Sequence, residues 1–276
     1  MKKLLSGITF ILCVAVAQAQ LKTPAPSPGQ TVKQDFALSA IELSYSRPGI
    51  KGRKVYGDLV PFKAVWRTGA NGATTLTFGE EVIIGGEKIP AGKYGLLSIP
   101  DKTEWTLIIT KQTNVTNPAA YKQEEDVVRV KVKPVAIPQK VETFTIQFAN
   151  VQPESCELEI IWENTKVSLP IKADIDSKIM AQIDASIQSD KPAYGQAAAY
   201  YLENNKDINK AIEWYGKAVE ATPNAFWLKY QYAKALAKGG KKADAKKMAL
   251  QAKEAAVAAK NSDYVTLNEK LLAELK

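Results

Sequence analysis

The spacing of hydrophobic positions changes once along this chain, near residue 174. From about Val32 to Ala173 the period is two. In VVRVKVKP, Val128, Val130 and Val132 share one face, while Arg129, Lys131 and Lys133 share the other. In ETFTIQF, Phe144, Ile146 and Phe148 oppose Thr143, Thr145 and Gln147. In CELEIIW, Cys156, Leu158, Ile160 and Trp162 face away from Glu157 and Glu159, which are expected on the wet side. Such alternation marks half-buried antiparallel strands with one solvated face. Gly85-Gly86 in VIIGGEKI is a two-residue hairpin signal, and Pro90-Ala91-Gly92 and Pro100-Asp101 mark further reversals. Roughly nine strands at this spacing predict a β-sandwich, with a partly closed barrel as the alternative arrangement.

Beyond Asp174 the pattern is helical. DIDSKIMAQIDASIQ places Ile175, Ile179, Ile183 and Ile187 four residues apart, an amphipathic helix with Asp174 positioned to cap it. Its apolar stripe is expected to dock on one of the two halves. Small residues then recur at an offset of 34: Ala199, Leu202, Ala211 and Ala218 correspond to Ala233, Leu236, Ala245 and Ala252, and Pro223 closes the first copy. Alanine at these places lets antiparallel helices approach closely. The spacing resembles the tetratricopeptide repeat over about residues 192–259. Tyr215 stands where that family has an aromatic residue, whereas Gly195, Ala249 and Val257 depart from its Trp, aromatic and Pro positions. An alanine-rich pair of helical hairpins of other ancestry fits the same pattern. Two repeats rarely form a stable stack alone. The isoleucine helix and a last helix over about 262–275 are therefore expected to cap the ends, which makes about six helices.

The resulting division is a signal peptide at 1–19, a flexible Pro-rich leader at 20–31, a β-sandwich at 32–173, a connecting helix at 174–190 and a helical repeat domain at 191–276. The predicted class is α+β and multidomain. The signal reading rests on Lys2 and Lys3, the apolar run Leu4 to Ala17, and the small-x-small site Ala17-Gln18-Ala19. It predicts an exported protein, periplasmic or secreted, with no transmembrane segment after cleavage. A lipoprotein anchored at Cys13 is the rival, set back by the large Leu12 before it and the cleavage site after it. Removal of the signal leaves Cys156 as the one cysteine, so no internal disulfide can form. Cys156 opens a strand pattern and reads as a small buried hydrophobe.

The chain contains no histidine. That excludes Ser-His-Asp and Cys-His nucleophile systems, the usual zinc sites and imidazole acid–base chemistry. No cofactor is expected. The formal charge is +8, and residues 206–276 carry 14 Lys against 8 acids. The excess reads as a solvated lysine-rich helical surface, and an exported chain is not expected to meet nucleic acid.

Candidate chemistry gathers in VWRTGANGATTLTF, residues 65–78, and YSRPGIKGRKVYG, residues 45–57. Gly69, Asn71 and Gly72 tolerate the positive φ of a tight reversal. Tyr45, Arg47, Arg53, Trp66, Arg67 and Asn71 are the candidate ligand-binding residues. Arginine beside aromatics on loops suits an anionic or sugar-like ligand. The same arginine forks also serve as internal staples that bond several carbonyls. Both accounts stand at this level.

These segments carry a resemblance. SYSRPGIKGRKVYGDLVPFKAVWRTGANGATTLTF, then IPAGKYGLLSIP, EWTLII and ELEIIWENTKVSLPI, are similar to the bacterial domain-of-unknown-function family 2911 over about residues 36–172. The resemblance implies an exported β-domain, frequently followed by helical repeats, and no established activity. Gly72 stands where the family pattern has an acid.

Hydrolysis without histidine needs paired carboxylates, about 5 to 9.5 Å apart in glycosidases. Glu80-Glu81 and Glu124-Glu125-Asp126 are adjacent acids that point to opposite strand faces and form no dyad. Asn114, Asn117 and the following acids lack calcium-loop spacing. The leading expectation is a non-enzymatic ligand-binding or protein-interaction scaffold of the cell envelope, meeting a partner protein through its helical repeats. The alternative is a carboxylate-dependent hydrolase of glycan or other envelope polymer, using Glu80 or Glu104 with Arg47, Arg53 and Arg67 positioning the substrate.

Overall fold

The computed structural model describes residues 23–276, so the expected signal segment, with Cys13 in it, lies outside the described residues. The chain divides into two compact units between Asp174 and Ile175. The first is built of antiparallel strands and the second of helices, an α+β chain.

The first unit has ten strands where roughly nine were expected. They are β1 (Gly29–Phe36), β2 (Ser39–Ser46), β3 (Thr75–Phe78), β4 (Val82–Ile84), β5 (Glu87–Ile89), β6 (Gly92–Ile99), β7 (Trp105–Thr110), β8 (Asp126–Val132), β9 (Val135–Ala149) and β10 (Ser155–Lys172). They form a six-stranded sheet ordered β1-β2-β3-β6-β7-β8 and a four-stranded sheet ordered β5-β4-β10-β9. The Gly85-Gly86 turn joins β4 to β5 as the sequence predicts, with both glycines at positive φ.

Several expectations are corrected. The leader does not run to residue 31: Gly29 already pairs with Ser46, because polar GQTVKQDF makes a full edge strand against β2. The strand pattern at ETFTIQF belongs to a 15-residue strand that begins at Val135. Pro138 is tolerated there because β9 is the edge of its sheet and needs no amide on its free side. Glu159 is only 6% exposed, because Lys166 and Gln147 cover it on the face predicted to be wet.

Both sheets contribute side chains to one interior. Tyr45 on β2 meets Phe144 on β9 edge-on at 5.9 Å between centroids. Tyr56 touches Trp105 of β7 at 5.1 Å and Trp162 of β10 at 6.5 Å. Strands β6 and β7 are buried on both faces. Leu97 pairs with Ile108 on the side away from that interior, where Val115 and Tyr121 cover them. This two-sided burial explains why YGLLSI and WTLIIT show no alternation.

The second unit holds α1 (Asp176–Ile187), α2 (Tyr194–Glu203), α3 (Ile208–Ala221), α4 (Phe226–Lys238), α5 (Lys242–Ala258) and α6 (Ser262–Glu274). Asp174 does not cap α1. Ile175 is the N-cap, without a side-chain bond, and the helix starts one residue later than a cap at Asp174 requires. Ile183 is buried and Ile179 and Ile187 are partly buried against the helical unit's own core. Helix α2 packs on α3, α4 on α5 and α5 on α6. The paired positions Ala211/Ala245, Ala218/Ala252 and Leu202/Leu236 are all buried at these contacts. Asp207 and Asn261 cap α3 and α6 through their side chains, and Gly240 at φ 76° lets the chain turn after α4.

Candidate functional site

The motif residues of the β unit are placed by one topological fact: β9 has a free edge. The segment 45–53 runs along it. Phe144 N–H donates to Pro48 O at 2.9 Å, and Ile50 N–H donates to Glu142 O at 2.9 Å. Lys51 N–H donates to the Glu142 carboxylate at 2.8 Å. Arg47 reaches further along the strand, donating from Nε to Phe144 O at 3.1 Å and from Nη2 to Thr145 Oγ1 at 2.9 Å. The Tyr45 hydroxyl accepts the Ile146 amide at 2.9 Å and lies within donating distance of Gln30 Oε1 and Ile146 O. Burial raises the Tyr45 pKa; the bond with the Ile146 backbone and the nearby Arg47 charge partly oppose this. Arg53 folds back on its own loop and donates to Ile50 O at 3.0 Å and Gly49 O at 2.7 Å.

Trp66 and Arg67 point to opposite sides of one short extended stretch. Trp66 forms a two-way backbone bridge with Ser98 of β6. Its ring stacks on Trp162 at 6.0 Å and meets Phe144 edge-on at 5.2 Å. Its indole N–H donates to Gly69 O at 3.1 Å. Arg67 Nη1 donates to Thr116 O at 2.7 Å, while its Nε is buried with no partner among the described residues. The reversal then turns on Thr68, Gly69 and Asn71, at φ 53°, 152° and 56°. Gly72 was expected to take part but does not have positive φ, and open space lies beside it. Thr68 is the unforeseen member, because a β-branched residue seldom adopts this conformation. It is held by Oγ1 donating to Ser98 Oγ at 2.9 Å and by its carbonyl accepting from Thr74 Oγ1 at 2.7 Å. Asn71 Nδ2 donates to Ser27 O at 3.0 Å.

Each of the six candidate residues thus donates to a carbonyl or hydroxyl of its own chain. Tyr45 and Arg47 share the β9 edge, Trp66 enters the interior, and Arg67 ties down the segment over β6 and β7. Arg53 and Asn71 hold separate loops. Sequence reasoning passed over Glu142, whose carbonyl also accepts the Trp162 indole N–H at 3.1 Å. A lone Glu carries no pattern that reveals such a role.

The acids are engaged as well. Glu80 Oε1 accepts the Leu38 amide at 2.7 Å, and Glu104 pairs with Lys131 at 2.9 Å. No group of three acids, cysteines or histidines suited to a metal occurs among the described residues. Cys156 is buried, and burial together with Glu157 pushes its thiol pKa up to about 11, which leaves it protonated and unreactive.

The helical unit has an open groove of about 480 Å³. Tyr194 and Gly195 of α2, Tyr215 and Ala218 of α3, and Trp227 and Leu228 of α4 line it. Trp227 is 46% exposed, and the Lys217 ammonium lies 5.1 Å from the Tyr194 ring. No helix among the described residues is long and apolar enough to cross a membrane.

Fold and site together define an antiparallel β unit braced by arginine and tyrosine, followed by six helices. Residues 27–171 match the family described as Protein of unknown function (DUF2911), and the chain belongs to that family. No match was found among curated proteins or among solved structures.

Proposed function

We propose that this is an exported, non-enzymatic scaffold whose helical unit binds a partner protein. In this reading the two sheets form a β-sandwich, and α2–α3 and α4–α5 are tetratricopeptide-like hairpins. The observation that carries it is the groove between α2, α3 and α4, with Trp227 left exposed at its side. Large aromatics at the surface of a concave site are the usual anchors of recognition. The motif residues of the β unit support the same reading from the other direction. Each donates at least one hydrogen bond to the chain's own carbonyls, which suits a rigid frame rather than a reacting site.

The test is capture from envelope extract by the chain from residue 23 to 276, beside its Trp227→Ala variant. A discrete protein partner retained by the first and lost by the second supports the scaffold. Turnover of an envelope glycan that disappears on Glu80→Gln or Glu104→Gln overturns it in favour of a hydrolase.

A further inference from the structure

A separate cleft of about 250 Å³ opens in the β unit and is lined by Tyr56, Phe62, Asp101, Lys102, Trp105 and Thr165, with Pro134 at its side. Trp105 is the floor, only 1% exposed, and Tyr56 and Phe62 are half-buried walls. The walls are built rather than incidental. Gly57, at φ 86°, lies so close under the Phe62 ring that a Cβ there would come within 2.8 Å of it. The Lys63 amide donates to Pro100 O at 2.8 Å and fixes this loop beside Asp101 and Lys102. On the far side, β10 bulges at Glu163, at φ 51°, with register breaks before and after it. Bulges bend a strand and re-aim its side chains. Thr165 follows two residues on.

The Tyr56 hydroxyl makes no hydrogen bond among the described residues, although the ring is packed against Trp105 and Trp162. Burial and the nearby Glu163 charge raise its pKa, so it is a neutral O–H donor. The ring is held while the hydroxyl stays open to the cleft, which leaves it available to an incoming acceptor. Asp101 Oδ1 accepts the Lys102 amide at 2.7 Å, and the exposed Lys102 side chain stands at the rim. An occupant that accepts from Tyr56 and Lys102, donates to Asp101 and presents an apolar face to Phe62 matches this lining. A quaternary ammonium would leave Tyr56 unanswered and would meet Lys102. A phosphate would meet Asp101 with Glu163 nearby. A hydrocarbon would satisfy none of the polar groups. A neutral sugar ring has hydroxyls that both donate and accept, and C–H faces that lie on aromatic rings. The volume is below the usual range of about 300–1,000 Å³ for small-molecule pockets, which limits the occupant to a single ring.

We propose that this cleft binds one neutral sugar ring, with the Tyr56 hydroxyl and Asp101 reading its hydroxyls and Phe62 carrying its apolar face over the buried Trp105. The site shares no residue with the helical groove, and its fate is independent of the partner proposed there.

The test uses the chain from residue 23 to 276 and two sets of probes: methyl glycosides of glucose, galactose, mannose and N-acetylglucosamine, and short oligosaccharides of the same sugars. Binding is read by titration calorimetry and by amide resonances of residues 56, 102 and 165. The expected result is binding by at least one sugar with shifts at those amides. Tyr56→Phe should weaken it at least tenfold with an unchanged melting temperature. Phe62→Ala, which leaves the interior intact, should weaken it several-fold. Equal affinity for a glycoside and its oligosaccharide identifies a free ring as ligand, and tighter binding of the oligosaccharide identifies a chain end. No shift with any sugar, unchanged binding by Tyr56→Phe, or shifts with tetramethylammonium or phosphate alone would overturn the proposal.

Discussion

The hydroxyl of Tyr45, on β2 of one sheet, accepts the amide of Ile146, on β9 of the other, at 2.9 Å. A side chain thus does for the free edge of β9 what a neighbouring strand would otherwise do. Uncovered strand edges invite pairing with other chains, and proteins commonly cover them. Here Tyr45, Arg47 and the loop to Lys51 form the cover.

Tyr45→Phe keeps the ring against Phe144 and removes only this hydroxyl. The Ile146 amide is then buried without an acceptor, which costs about 1–3 kcal/mol. Urea unfolding should show a lower midpoint with an unchanged slope. A stability equal to wild type would mean that the edge is held by the loop backbone alone.

The segment that covers Leu97 and Ile108 depends on two contacts of different kinds. Arg67 holds it through Thr116 O, and Gly95 lets it approach, since a Cβ on Gly95 would sit 2.1 Å from Gln112 O. Gly95→Ala pushes backbone against backbone and should destabilise the β unit by about 3 kcal/mol, the upper end of what overpacking costs. Arg67→Ala should lower the melting temperature and speed amide exchange across residues 112–121, while leaving exchange in β9 unchanged. Arg67→Ala with wild-type exchange in that segment would show that Val115 and Tyr121 suffice to hold it.

Much of this frame was legible and part of it was not, for a definite reason. Alternation in VVRVKVKP and CELEIIW exposes strands because one face is wet, and the Gly85-Gly86 hairpin is local chemistry. The 34-residue offset exposes the helix pairs because Ala211 and Ala245 occupy equivalent close contacts. The roles of Arg47 and Arg67 were left open between staple and ligand, because their acceptors are backbone carbonyls 97 and 49 residues away. Every residue has a carbonyl, so none signals such a partner. Glu159 misled for the opposite reason: its alternation places it outside, and only the pairing of β9 with β10 brings Gln147 beside it. The cleft at Tyr56 is bordered by Thr165, two residues beyond a bulge at Glu163 that period-two reasoning passes over.

Glu159 also sets a pH dependence. Burial alone would raise its pKa, but bonds from Lys166 at 2.7 Å and Gln147 at 2.8 Å outweigh burial and the net shift is downward. Its folded value therefore lies below the unfolded value of about 4.3. The unfolded chain binds more protons in between, so the stabilisation is complete above the unfolded value and is lost as pH falls through the folded one. Urea midpoints between pH 3 and 6 should rise with pH in the wild type and rise less steeply in Glu159→Gln. Parallel curves for the two proteins would show that other carboxylates carry the acid sensitivity.

Truncation after Asp174 addresses the organisation of the whole chain. The partners of Tyr45, Arg47, Arg53, Trp66, Arg67 and Asn71 all lie between Ser27 and Trp162, within the β unit. Strand β10 ends cleanly, with the Ala173 amide donating to Glu154 O at 2.9 Å. Ile179, Ile183 and Ile187 of α1 pack on the helical core, and the aromatic interior formed by Trp66, Tyr56, Trp105 and Trp162 lies wholly before Asp174. About 150 residues with one such interior are enough for an independent fold. Residues 23–174 should therefore give dispersed amide resonances and a single cooperative unfolding transition. That transition should still be weakened by Tyr45→Phe by the same amount as in the longer chain. An aggregated fragment, or one in which Tyr45→Phe no longer matters, would mean that the helices complete the β unit's core.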